Sequence, residues 1–207
     1  MDGEEQQLRY WLALLQVKGI GPVQFRHLWQ ESGGLERLFE APPAHLPEGV
    51  RQGLRATDWE AVDSALSWRE QPDCHILTLE HPAYPPQLKE IHDAPPLLFV
   101  RGDVAQLSNP QLAMVGSRNP GVVGRETAHD FGRSLVAAGL VITSGLAQGI
   151  DTASHQGALA GDGQSVAVFG TGPDRVYPAQ NRELAHAIVA GGGALVSEYS
   201  PGVGPQP

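Results

Sequence analysis

Cysteine is nearly absent from this chain: Cys74 is the only one in 207 residues. Disulfide frameworks and cysteine-built zinc sites are thereby excluded. No apolar run approaches the ~18 residues of a membrane-spanning helix. The start, Met1-Asp2-Gly3-Glu4-Glu5, lacks the basic residues that open a signal peptide. These absences lead to the expectation of a soluble, cytoplasmic protein in a reducing compartment. Hydrolytic motifs are missing too. There is no Gly-x-Ser-x-Gly, no His-Glu-x-x-His and no pair of carboxylates within one loop. No catalytic residue, cofactor or metal site is therefore expected.

Positive charge is scarce. The chain carries 14 Lys+Arg against 23 Asp+Glu, a net charge of −9. Residues 1–107 hold 9 basic and 16 acidic groups, and residues 108–207 hold 5 and 7. Such a chain is a poor general coat for nucleic acid. A local site built from backbone amides and one or two arginines remains open to it. Lysine occurs only at Lys18 and Lys89. Arginine suits forked phosphate contacts, although a compositional bias accounts better for its dominance. Glycine and proline, at 25 and 17, are abundant and predict tight turns and backbone-lined sites. The 41% apolar content supplies a core.

Two halves follow from periodicity, with the boundary placed so that residues 1–72 form a helical domain and residues 73–207 an α/β domain. Leu8, Trp11, Leu12 and Leu15 lie on one helical face. Gly19-Ile20-Gly21-Pro22 breaks that helix, and Pro22 suits the first position of the next. Leu35, Leu38 and Phe39 suggest a third helix, and Val50–Leu54 a short fourth. Thr57-x-x-Glu60 matches a capping box. Cys74–Leu79 and Leu97–Val100 then read as short strands. From residue 108 an apolar run, a glycine-bearing loop and a helix recur. The runs are Leu112–Val115, Leu140–Thr143, Val166–Phe169 and Ala194–Val196, whose starts lie 28, 26 and 28 residues apart. This is the size of a βα repeat. It predicts a mostly parallel, Rossmann-like sheet flanked by helices on both faces.

In such sheets ligands sit at the carboxyl ends of the strands, where this sequence collects glycines and hydroxyls. The first loop, Gly116-Ser117-Arg118-Asn119-Pro120-Gly121, precedes a helix and reads as an anion site. It is not a P-loop, because Val122-Val123 stand where Lys-Ser/Thr is needed. The dinucleotide fingerprint is also missing. The second loop runs from Ser144 and Gly145 to Gly149, and its amides are candidates for a second phosphate. Asp151 is read as a helix cap or loop organiser, and His155 as a packing or hydrogen-bonding histidine. The third loop carries Thr171, Gly172, Tyr177 and Asn181. Tyr177 has a face for stacking on a base, but a buried structural role is expected of it. Asn181 is placed in the nucleic-acid site and also suits a helix cap. Three phosphate-friendly loops in one crevice suit an extended polyanion. The nucleic-acid-binding set is therefore Gly116, Ser117, Arg118, Gly121, Ser144, Gly145, Gly149, Thr171, Gly172 and Asn181. A Rossmann-like nucleotide-processing enzyme, of the phosphoribohydrolase kind, is the alternative. Its Pro-Gly-Gly-x-Gly-Thr loop is absent.

Several segments occur together in one family. They are Met114-Val115-Gly116-Ser117-Arg118, Ser144–Asp151 with His155, Tyr177-Pro178-x-x-Asn181 and Ser197-Glu198-Tyr199, preceded by His81-Pro82-x-Tyr84-Pro85 and Phe99-x-Arg101-Gly102-Asp103. In order and spacing the chain resembles the bacterial DNA-processing protein A (DprA/Smf) family over residues 8–201. The resemblance implies a protein that binds single-stranded DNA, protects it and loads the RecA recombinase on it during natural transformation. It also implies a homodimer, and it assigns Arg118 and the loop amides of Ser144–Gly149 to phosphate binding. Family members often carry a basic residue where Gln148 stands, and some carry one where Ala179 stands. Arg175 and Arg182 are the candidates to compensate. The family's domain runs on beyond the equivalent of Pro207, so a truncated polypeptide is expected, with its unpaired sheet edge at Val196. Leu14-Leu15-x-x-x-Gly19-Ile20-Gly21-Pro22 resembles a helix-hairpin-helix, read here as a protein-contact or purely structural element.

Overall fold

The computed structural model describes residues 3–31 and 34–205. The chain divides into two compact units, one of residues 1–71 with 77–97, the other of residues 72–76 with 98–207. The first unit opens with α1 (Gly3–Leu15), α2 (Pro22–Glu31), α3 (Leu35–Glu40), α4 (Glu48–Arg55) and α5 (Trp59–Arg69). Its core gathers the buried Trp11, Leu12, Phe25 and Leu38, with the Trp11 and Phe25 rings 5.0 Å apart. Gly19 takes a φ of +87° between α1 and α2, a turn that glycine enters without strain. The cap of α5 is Asp58, whose side chain accepts from the Ala61 amide, and not the expected Thr57. The Thr57 hydroxyl instead donates back to the Leu54 carbonyl.

The strands are β1 (Cys74–Thr78), β2 (Leu97–Gly102), β3 (Gln111–Ala113), β4 (Val141–Ser144), β5 (Ser165–Val168) and β6 (Ala194–Ser197). A short α6 (Pro86–Lys89) lies between the first two. The second unit adds α7 (Val122–Ala137), α8 (Ile150–Ala160) and α9 (Arg182–Ala190). The sheet order is β1-β2-β6-β5-β4-β3. Strands β3, β4, β5 and β6 are mutually parallel, and β2 joins β6 antiparallel. The expected mostly parallel sheet flanked by helices, preceded by a helical region, is what the structure contains.

Two details differ from the sequence reading. Each crossover moves one strand in the same direction along the sheet, and right-handed crossovers then place all three helices on one face. Accordingly α7 packs on α8 and α8 on α9, so the long helices form one layer rather than two. The open edge is also elsewhere. Val196 pairs with Val100 on one side and Val168 on the other, so β6 is interior. The end strands are β1 and β3, and β3 is exposed along its length. Strand order is a tertiary property that the repeat spacing does not encode.

Helices α7 and α8 meet backbone to backbone. A Cβ on Gly157 would lie 2.0 Å from the His129 carbonyl oxygen, and one on Gly132 would lie 2.5 Å from that of Ser154. This close approach fixes how the loops leading into both helices face each other.

Candidate nucleic-acid interface

Because β3, β4 and β5 are parallel, the loops that follow them emerge at one end of the sheet. Gly149, at φ +84°, joins the first two loops. A Cβ there would stand 2.3 Å from the Ser117 carbonyl oxygen. The Ile150 amide donates to that same oxygen at 3.1 Å. Leu146 anchors the second loop with a fully buried side chain and a left-handed backbone at φ +57°. Such a conformation costs a non-glycine residue on the order of 1–2 kcal/mol, so the surroundings must hold it. Asn181 does so from the third loop. Its side-chain amide donates to the carbonyls of Leu146 and Ala147 and to the Thr152 hydroxyl, at 2.8, 3.3 and 3.0 Å.

Several groups proposed to face a ligand are therefore committed internally. Ser144 donates to the Met114 carbonyl, and Thr171 to that of Arg175. The Asp151 carboxylate accepts from the Gly145 and Ala147 amides at 3.1 and 3.3 Å, so those two amides are not free for a phosphate. Asp151 is thus the loop organiser the sequence suggested. Asn181 occupies the position before α9 but makes no side-chain cap there. Gly172 approaches the backbone of Ser200, and Gly116 packs on Ile150. The Ser117 hydroxyl accepts from the Asn119 amide and shapes the first turn. Gly121 faces open space at the start of α7.

His155 is fully buried, and its Nδ1 lies 2.7 Å from the Ser165 hydroxyl. That hydroxyl spends its proton on the Ile142 carbonyl. Nδ1 must then be the donor, which leaves Nε2 unprotonated and without a partner in the core. Burial pushes its pKa down to about 4. The residue serves packing, as expected.

Two cavities open at the strand ends. A smaller one, about 310 Å³, is lined by Arg118, Gly145, Gln148, Thr171 and Tyr177 among others. A larger one, about 600 Å³, is lined by Arg118, Asn119, Arg125, Gln148, Gln156 and Asn181 among others. Arg118 and Gln148 belong to both walls. Arg118 has no carboxylate within ion-pairing distance among the described residues. A structural pairing with Asp151 or Glu198 is thus not made.

Of the other expected residues, Gly149 lines the larger cavity, whereas Gly116, Ser117, Gly121, Ser144 and Gly172 line neither. Sequence reasoning undervalued Tyr177. It is 60% exposed and lines the smaller cavity, not buried as expected. Arg175 lies 3.6 Å from Asp174 and, like Arg182, lines neither cavity. The arginine that adds charge is Arg125, in the first turn of α7. Its signal was there in the sequence, at a helix start just after the Gly-Ser-Arg loop. Among the described residues no trio of His, Cys, Asp or Glu is gathered to hold a metal ion. No described helix is long and apolar enough to cross a membrane.

The family model for DNA recombination-mediator protein A matches residues 75–207. This chain belongs to that family. It is 41% identical over 158 residues to Protein Smf of Escherichia coli (strain K12), covering 75% of this chain and 42% of that protein. It is 46% identical over 172 residues to DNA processing protein DprA of Streptococcus pneumoniae, covering 83% and 52% respectively. The X-ray structure of the Streptococcus pneumoniae protein matches with a TM-score of 0.75 at 32% identity, over 96% of this chain and 70% of that one. The structure of DNA processing protein A from Helicobacter pylori, which concerns its single-stranded DNA binding mode, gives 0.55 at 28% identity over 64% and 59%. The chain spans about half the length of the curated relatives it matches.

Proposed function

We propose that this chain binds single-stranded DNA at the strand-end cavities and is the DNA-holding part of a recombination mediator. The observation that carries the reading is Arg118, a guanidinium unpaired among the described residues, on the shared wall of two cavities at the carboxyl ends of parallel strands. A guanidinium forks across two phosphate oxygens, a geometry that lysine or glutamine does not reproduce. Tyr177 offers an exposed ring beside it, on which any base can stack. Loops pinned by Asp151 and Asn181 keep that arrangement in place without a ligand. Family membership supports the same reading, as does the single-stranded DNA binding studied in the Helicobacter pylori relative.

Within the cell we assign the chain to the cytoplasm, where it protects incoming single strands and helps RecA assemble on them. It carries out no chemistry of its own in this scheme. The test is competition at one salt concentration among a single-stranded oligonucleotide, its duplex and a nucleoside monophosphate. Single strands should win, because only a flexible backbone bends into recessed loops. Equal binding of duplex would overturn the proposed site, and preferential binding or cleavage of the monophosphate would favour a nucleotide-processing enzyme.

A further inference from the structure

In the reading above, Arg118 and Tyr177 take one phosphate and one base at the smaller cavity. A longer strand must run on past Arg118, and the larger cavity, about 600 Å³, shares that residue. The charged and titratable side chains lining it are Arg118, Arg125, Glu126, His129 and Asp130, all but the first on α7. The other polar lining is uncharged, chiefly the amides of Asn119, Gln148, Gln156 and Gln180. Asp130 lies 3.4 Å from Arg133 and 3.6 Å from His129, so its charge has neighbours to balance it. Arg125 is exposed, and neither it nor Glu126 makes an ion pair among the described residues. The unbalanced charges on this wall are thus the guanidinia of Arg118 and Arg125 against the single carboxylate of Glu126. That local excess is positive in a chain whose net charge is −9.

An exposed arginine is ordinary by itself. What sets Arg125 apart is its place in the first turn of α7, lining the same cavity as Arg118. Gly121, just ahead of that turn, faces open space, so no side chain there blocks the way from one guanidinium to the other. Both groups fork across phosphate oxygens, and a nucleic-acid backbone offers a phosphate at every nucleotide. The surrounding amides donate and accept hydrogen bonds alike. They meet a sugar or any base without choosing among bases. An ionised carboxylate only accepts, so Glu126 repels a phosphate held beside it.

Building on the single-stranded DNA reading, we propose that Arg125 holds a second backbone phosphate, so that the strand crosses from the smaller cavity over Arg118 and on along the first turns of α7. Recognition there is of the backbone, not of base identity. Glu126 opposes the same phosphate and limits the affinity. Arg118 remains the main anchor because it serves both cavities.

The experiment titrates dT and dA oligonucleotides of equal length by fluorescence anisotropy at three salt concentrations, with a thermal melt of each protein. Arg125→Gln should weaken binding by about tenfold, equally for dT and dA, and make the log–log salt slope shallower by ~0.7. Glu126→Gln should tighten binding by about two- to fivefold, a gain that a misfolded protein cannot produce. Arg182→Gln removes the same charge from the start of α9, at a residue lining neither cavity, and should change affinity by less than about twofold. A folded Arg125→Gln protein that binds like the parent would overturn the proposal while leaving Arg118 and the DNA reading intact. Equal losses in Arg125→Gln and Arg182→Gln would also overturn it, as a general effect of net charge, and so would a loss confined to one base. Should Arg125→Gln melt early, an unchanged affinity in Glu126→Gln overturns it instead. Absence of binding by the parent would overturn the functional reading beneath it.

Discussion

Acidification should destabilise this protein through His155. Its imidazole is fully buried, donates from Nδ1 to Ser165 and has a bare Nε2 with no partner among the described residues. Protonation would create a charge in the core and a second N–H with nothing to receive it. In the unfolded chain the same imidazole takes up a proton near pH 6.5. In the folded protein it resists until about 4. Between those values the unfolded state binds more protons, so stability rises with pH. The contribution is complete above about 6.5 and is lost as the pH falls toward 4. At about 1.4 kcal/mol per unit, the whole window is worth roughly 3 kcal/mol, and the fall from pH 7 to pH 5 roughly 2 kcal/mol. Urea denaturation at those two pH values measures it. His155→Leu removes the titrating group while leaving the Ser165 hydroxyl bonded to Ile142. The variant will be less stable at pH 7, but its loss between pH 7 and pH 5 should be smaller than the parent's by about that 2 kcal/mol. An identical loss in both proteins would refute the assignment.

Packing and edge geometry give two further expectations. Gly157→Ala puts a methyl group 2.0 Å from the His129 carbonyl oxygen and should lower stability by roughly 1–3 kcal/mol or more. Gly121→Ala, in open space at a φ of −66°, should change it by no more than about 0.5 kcal/mol; equal melting temperatures for the two variants would contradict the helix contact. Hydrogen exchange should be fast at residues 111–113 of the open β3 edge and slow at residues 194–197 of the interior β6. The reverse order would mean that the sheet is ordered differently in solution.

The βα repeat was legible because its period is local. Apolar runs such as Val166–Phe169 and Ala194–Val196, spaced by one crossover, announce parallel strands before any contact is known. Strand order was not legible, since nothing local tells β6 that β2 will return beside it. Glycines could not be sorted from the sequence: Gly116, Gly121 and Gly172 line neither cavity, whereas Gly145 and Gly149 each line one. Gly145, Gly149 and Gly172 are small because other protein atoms, including the Asp151 carboxylate and the backbone carbonyls of Ser117 and Ser200, occupy the place of a Cβ. Hydroxyls and amides posed the same problem. Ser144, Thr171 and Asn181 look identical in sequence whether they face a ligand or tie loops together, and the structure ties them. Arg118 was easier to find, as a fixed charge inside a glycine-rich loop ahead of a helix. Gln156 lies on a helix, where a polar residue reads as ordinary solvated surface until a cavity forms beside it.

Single-stranded DNA binding at this site rests on Arg118. Its removal leaves no buried partner stranded, so Arg118→Ala should melt within error of the parent. The lost charge-assisted contact should cost on the order of 1.5–3 kcal/mol, or roughly ten- to over a hundredfold in affinity for a single-stranded oligonucleotide. The dependence of that affinity on salt should also become shallower by ~0.7 in the log–log slope. Anisotropy titrations of parent and variant at three salt concentrations, beside a thermal melt of each, measure all of this together. Weaker binding with a shallower slope and an unchanged melt is the predicted result. An Arg118→Ala protein that binds the oligonucleotide as tightly as the parent would contradict the claim.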